Sequence, residues 1–316
     1  RLNVRNSGRW LVLVAAFIVV AAACGDDDST ETTEPTTQAS TTAAPTTTAV
    51  SATTAAPTTT AASATTVAGS EVRTIDAVQA AITIDGDSSD WDGIVGLDLT
   101  LDPIKGEEHI ATAAATVKVA YDDEFVYLLF TVDDDFNWDA SDGHKSASSA
   151  AMWSIDSEAG TGMGSDAEGK DENDEYTSLG MVDIWHWELE CGAGVDSGGA
   201  TGAGPGDKDP GNDSGCNFDD EWSSDPATRE DDNGAGAENS LLGVFSHSNP
   251  VADGEGTWTF EMRRPLQTGD ATDAQFGAGH SVLMGVAYWD ADNSPEGWDD
   301  DEHVNSATQG WIQVNF

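Results

Sequence analysis

The run Met181–Glu190, MVDIWHWELE, constrains this chain more than any other stretch. Successive residues of a β-strand point to opposite faces, so Val182, Ile184 and His186 share one side and Asp183, Trp185 and Trp187 the other. His186 is therefore expected to face a core. That core is either purely apolar or the wall of a cofactor pocket.

From residue 71 onward the chain offers a series of short strand-like segments. They are Ala81–Asp85, Ala115–Tyr121, Phe125–Val132, Ala150–Asp156, Met181–Glu190, Thr257–Arg263, Ser281–Asp290 and Gly310–Phe316. The second and third flank Asp122-Asp123-Glu124 and predict a hairpin with a three-residue turn. No stretch keeps a helical period for ten residues. The expected fold is all-β: one antiparallel β-sandwich over residues 71–316 with long Gly/Asp-rich loop insertions. The longest of these, near Cys191–Ser240, is low in complexity and expected to be mobile.

The preceding residues have a different character. Arg1, Arg5 and Arg9 lead into the apolar run Trp10–Ala22, which ends in Ala-Ala-Ala-Cys-Gly. Residues 1–23 resemble a bacterial lipoprotein signal peptide. The resemblance implies a lipid on Cys24, attachment to the membrane and a location outside the cytoplasm, at the cell surface. An uncleaved anchor is the alternative, although the run is short for a membrane span. Residues 24–70 are dominated by Thr, Ala, Ser and Pro and carry too little apolar surface to offset the entropy of ordering. A disordered stalk is expected there, able to hold a domain several tens of ångströms off a membrane.

Charge narrows the partners. With 58 acidic against 12 basic side chains and a formal charge of -46, the chain repels nucleic acid and anionic surfaces and favours cations or basic partners. Besides Cys24 there are two cysteines, Cys191 and Cys216. In an oxidising compartment a disulfide between them is the simplest expectation, worth about 3 kcal/mol in the loop-entropy model. No C-x-x-C-H motif occurs, which excludes covalent haem c and leaves non-covalent haem open.

Ile82–Trp91, ITIDGDSSDW, resembles the opening of the family-9 carbohydrate-binding-module-like sandwich. The same opening occurs in the haem-binding domain of ethylbenzene dehydrogenase γ subunits and related cytochromes of dimethylsulfoxide-reductase-like systems. VKVAYDDEFVYLLFTVDD, VDIWHW, WTFEMRRPLQTGD and VLMGVAYWDAD are similar to segments of that haem-binding family, in its order. Together they cover nearly all of residues 78–316. The resemblance implies a β-sandwich binding haem b, with a methionine and a lysine as axial ligands.

Met152 matches the methionine position. The lysine has no counterpart, since the last lysine is Lys208, and His303 in the corresponding C-terminal loop is the substitute. The expected axial pair is Met152 and His303, with His186 in reserve and Trp185 at the haem edge. Each has a plainer alternative: Met152 as core packing, His303 as an exposed histidine among carboxylates, His186 as a core histidine bonded to backbone. Trp185, Trp187, Trp153 and Trp289 could line a haem, form a stacking platform for sugar rings, or fill the sandwich. Arg264 could hold a haem propionate or pair internally with a carboxylate.

Calcium is a further expected cofactor. Asp133–Asp135 and Asp290–Asp292 offer hard oxygen ligands, but neither run fits an EF-hand loop. No catalytic signature is present, so an enzyme is not expected. The primary expectation is an electron-transfer protein working with a redox partner, molybdenum-type oxidoreductase subunits included. The alternative is a carbohydrate-binding extracellular module without haem.

Overall fold

The computed structural model of the protein describes residues 72–139, 142–191, 216–232, 240–295, 297–298 and 302–316. The expected signal peptide, Cys24 and the stalk lie outside these residues, as does most of the acidic excursion after Cys191. Among the described residues no helix is long and apolar enough to cross a membrane.

Among the described residues sixteen strands follow one another: β1 Arg73–Asp76, β2 Val78–Gln79, β3 Leu97–Pro103, β4 Ala113–Tyr121, β5 Phe125–Asp134, β6 Ser148–Ser154, β7 Ser165–Lys170, β8 Tyr176–Ser178, β9 Val182–Cys191, β10 Cys216–Ser223, β11 Glu230–Asp231, β12 Leu242–His247, β13 Gly256–Pro265, β14 Ser281–Trp289, β15 Val304–Asn305 and β16 Ile312–Asn315. The all-β sandwich expected from the sequence is the fold found. One layer runs β11-β10-β9-β6-β14-β15, with β16 and β1 joined to it beside β14; the other runs β3-β4-β5-β13-β12. Strand β3 turns the corner, pairing with β4 through Leu97–Leu101 and with β15 through Asp102 and Pro103.

Between the layers, Trp153, Trp185, Trp187, Met284, Val286 and Tyr288 of the first meet Val117, Val119, Leu128, Phe130, Trp258, Phe260 and Met262 of the second. The predicted hairpin is present. Its turn is closed by Asp122, whose Oδ1 accepts from the backbone N–H groups of Glu124 and Phe125, both at 2.8 Å.

Strand β5 is apolar on both faces because both are covered. Val126, Leu128, Phe130 and Val132 enter the main core, while Tyr127 and Leu129 join a smaller cluster with Ile82, Trp91 and Ala120. The cover is the ITIDGDSSDW segment. Ala81–Asp85 does not form the expected strand; it crosses β5 and β13 from outside and is fixed by Glu261. One carboxylate oxygen of Glu261 accepts from the indole N–H of Trp91 at 2.8 Å, and the other from the backbone N–H groups of Asp85 and Gly86 at 3.1 and 2.6 Å. A segment whose backbone bonds end on a carboxylate has no need of a strand partner.

At the far end of β9, Cys191 and Cys216 are direct Cα partners of the antiparallel pair. Beside them the register slips between Cys216 and Phe218, a β-bulge, and Leu189 takes φ +28°.

Candidate functional site

The alternation in β9 holds, and both faces are buried. Asp183, Trp185 and Trp187 point into the sandwich, while Val182, Ile184 and His186 point to its outside. Cross-strand register extends this outer face. His186 lies opposite Ala150, which lies opposite Ala287, which lies opposite Asn305; one row along, Ile184, Met152 and Gly285 are partners. Small residues therefore form the floor, and the aromatic residues stand at its two ends.

At one end Trp289 is the hub. Its ring centroid lies 4.6 Å from His303, 5.3 Å from His186 and 5.9 Å from Trp298. Trp298 is anchored by its indole N–H to the Ser146 carbonyl at 2.8 Å and by His144, 4.6 Å away ring to ring. At the other end stands the half-buried Trp311, whose indole N–H donates to the Ala159 carbonyl at 3.1 Å. Met152 and Met163 pack against the same buried cluster. A Cβ placed on Gly285 would meet Met152, Trp311 and Ala307 at 3.5 to 3.7 Å, so the floor here is shallow but not filled.

Polar groups underlie this face. Nδ1 of His186 is 3.5 Å from Glu221, and the other oxygen of Glu221 is 3.1 Å from Nε of Arg229. His186 and Glu221 are almost fully buried, whereas Arg229 reaches solvent. His186 is buried, as expected, with a buried carboxylate beside its Nδ1.

This arrangement corrects the haem and electron-transfer expectation. Met152 sits opposite Gly285, whereas His303 packs on Trp289, four residues further along β14 and about 13 Å away at ~3.3 Å per residue. The Met152 methyl group gathers with Ala307 and Trp311 over Gly285, and His186 and His303 each pack against Trp289. No two of the three expected ligands face each other across a slot that could hold a porphyrin.

Trp185 is no haem edge either. It is fully buried on the opposite face, 5.1 Å from Trp153 and 6.1 Å from Phe276 ring to ring. Nor are Trp185 and Trp187 an exposed pair for sugar stacking, since both lie in the main core.

Arg264 takes the internal alternative. Buried in the core, it donates to Asp183, to Asp220 at 3.0 Å, to Asp273 at 2.7 Å and to the Ala274 carbonyl at 3.1 Å. Its guanidinium also lies 5.1 Å from the Trp185 ring. Three carboxylates around one cation leave excess negative charge, and burial, followed by the charges of Asp220 and Asp273, holds the Asp183 carboxyl well above its ordinary range against the opposing pull of Arg264. The guanidinium fills the space among these three carboxylates.

The two aspartate runs singled out for calcium converge. Burial, and next the charge of Asp290, push the Asp134 carboxyl up to about 7, although it accepts from the Tyr288 hydroxyl at 2.6 Å. Asp135 is raised by burial and by the charges of Asp292 and Glu255, and Asp290 by burial and by Asp292 and Asp135. Among the described residues, however, these carboxylates do not bring three donor atoms within 4.8 Å of one another.

Sequence reasoning missed Trp298, Trp311, Glu221 and Arg229. Strand alternation along Gly310–Phe316 is the signal that could have set Trp311 on the opposite face from Ile312. Nothing local in the sequence linked Arg229 to Glu221.

No protein-family model matches the chain, and no curated protein does. Among solved structures the chain is similar to a putative carbohydrate-binding protein from Bacteroides uniformis, at 8% identity and a TM-score of 0.43, over 78% of this chain and 100% of that one. It is also similar to a family-9 carbohydrate-binding module from Caldicellulosiruptor kristjanssonii solved with glucose, at 12% identity and a TM-score of 0.35, over 77% and 96%. The same module with cellotriose gives 12% identity and a TM-score of 0.36, over 77% and 94%.

Proposed function

We propose that this domain is a non-catalytic carbohydrate-binding module, displayed outside the cytoplasm on a lipid anchor at Cys24 with residues 24–70 as its tether. The observation that carries this reading is the outer face of the first layer, where the partly exposed Trp311 stands beside Gly285, and the buried Trp289 and Trp298 close the other end of the floor. Indole faces beside small residues accept the apolar C–H faces of a pyranose, and neighbouring charged groups accept or donate to its hydroxyls. Trp311 is the partly exposed indole of the three and is assigned the stacking role, with Arg229 as the polar contact. A formal charge of -46 opposes acidic polysaccharides, so the ligand class is a neutral sugar chain.

Calcium is assigned a structural part at Asp134, Asp135, Asp290 and Asp292, where it would neutralise crowded carboxylates and hold the β5 end against the β14 end. A disulfide between Cys191 and Cys216 fits their positions as strand partners. The deciding experiment is a titration of the calcium-loaded domain with glucose, cellotriose and soluble neutral polysaccharides, followed by tryptophan emission and by retardation in affinity gels. Saturable binding that Trp311→Ala weakens at least tenfold supports the reading. No emission change and no retardation with any of these ligands overturns it.

A further inference from the structure

Beside the Trp289 end of the aromatic floor, the loop between β3 and β4 meets the segment leading into β15. The backbone N–H of Ile104 donates to the His303 carbonyl at 3.3 Å, which clasps the two segments together. On this clasp Glu107, His109 and Glu302 converge. Nδ1 of His109 is 3.3 Å from a Glu107 carboxylate oxygen, and Nε2 is 3.8 Å from a Glu302 oxygen. One ligand atom from each of the three residues can be chosen so that all lie within 4.8 Å of one another. The two carboxylates are only 23% and 20% exposed, whereas the imidazole is 60% exposed.

We infer that Glu107, His109 and Glu302 form a binding site for a divalent transition-metal ion of the zinc class. Two carboxylates held together at a largely shielded spot repel each other, and a dication bound by both removes that cost. The imidazole sets the class: calcium and magnesium take oxygen donors, whereas zinc takes histidine nitrogen with carboxylate oxygen. Bonds of about 2.0–2.2 Å to a tetrahedral ion require donors roughly 3.4 Å apart. Closing from at most 4.8 Å to that spacing asks for no more than about 1.4 Å of side-chain movement. Three protein ligands leave the fourth position to water. The site is separate from the calcium carboxylates and does not depend on the carbohydrate reading.

The test uses the whole domain after chelator treatment, with calcium kept in large excess so that all-oxygen sites are filled. Zinc is titrated by calorimetry and cobalt by its visible absorption. The expected result is one equivalent of zinc bound with a raised melting temperature, and a cobalt band showing nitrogen ligation. His109→Ala is expected to weaken zinc binding at least tenfold and abolish the band, and Glu107→Gln to weaken binding several-fold. Non-saturable uptake spread over the acidic surface overturns the assignment. So does one-equivalent binding that His109→Ala leaves unchanged.

Discussion

Glu261 reaches from the middle of β13 to the indole N–H of Trp91, 170 residues earlier in the chain, and holds it at 2.8 Å with one oxygen while the other takes two backbone N–H groups. Both side chains are buried, and burial raises the Glu261 carboxyl although all three donors pull it down. Glu261→Gln keeps an acceptor for Trp91 but turns an amide NH2 toward the two N–H groups of Asp85 and Gly86. Breaking charge-assisted bonds of this kind costs roughly 1.5–3 kcal/mol. Urea denaturation of the variant is expected to show a midpoint lowered accordingly; an unchanged midpoint would show that the ITIDGDSSDW segment does not depend on this anchor.

Arg264 is structural, and its replacement has a different signature from the loss of a ligand-binding arginine. Arg264→Met would leave Asp183, Asp220 and Asp273 buried without their cation. Orphaning buried charges costs about 3–5 kcal/mol, whereas exchanging a whole buried ion cluster for apolar residues of similar volume is often neutral. The single variant is therefore expected to unfold at much lower urea concentration. Adding Asp183→Leu, Asp220→Leu and Asp273→Leu should recover part of the loss. A single variant as stable as the parent would remove Arg264 from the core network.

What the sequence disclosed divides along physical lines. The alternation in MVDIWHWELE and the short apolar run VYLLFTV were legible because both patterns are local, and they led to the sandwich, the hairpin and a buried His186. Strand β10, CNFDDEWS, was not legible as a strand. Its acidic residues read as solvated loop, yet Asp220 points inward because Arg264 waits there, and Glu221 is buried against His186 and Arg229. Hydrophobic pattern cannot see a buried charge whose partner lies 44 residues away. The Ile-Asp-Gly opening was legible as a family landmark, but its Glu261 anchor was not. Trp185 and Trp187 drew attention as a pair, whereas the aromatic residues on the outer face come from three separate segments that only the register brings together.

The two faces of the first layer should separate in a ligand assay. Trp311→Ala removes the half-buried indole at the edge of the floor and is expected to lower sugar affinity at least tenfold, about 1.4 kcal/mol or more, with the melting temperature nearly retained. Trp185→Ala instead opens a hole among Trp153, Phe276 and Arg264, and core truncations of this size cost about 3–5 kcal/mol. Its defect is expected in stability. Fluorescence titration combined with thermal melts distinguishes them, and equal loss of stability in both would return Trp311 to a packing role.

Stability should fall as pH rises through the neutral range in metal-free protein. Asp134 and Asp232 hold their protons to about 7 when folded, each chiefly because of burial and next because of a neighbouring carboxylate, Asp290 for the first and Asp220 for the second. In the unfolded chain both ionise near 3.8. A folded-state pKa above the unfolded one means that protonation favours folding. That contribution is complete below about pH 3.8, declines as pH rises, and is gone above about 7. Asp135, Asp183, Asp290 and Glu261 are raised in the same sense. Carboxyls held low by local hydrogen bonds, such as Asp122 and Asp270, act only as the pH drops below their ordinary range, outside this window. The urea midpoint is accordingly expected to be higher at pH 5 than at pH 7.5. Asp134→Asn keeps an acceptor for the Tyr288 hydroxyl while removing one titrating group, so it should flatten the slope, and Asp134→Asn with Asp232→Asn should flatten it further. A midpoint that is constant or rises between pH 5 and 7.5 would mean that these carboxyls are already ionised in the folded domain.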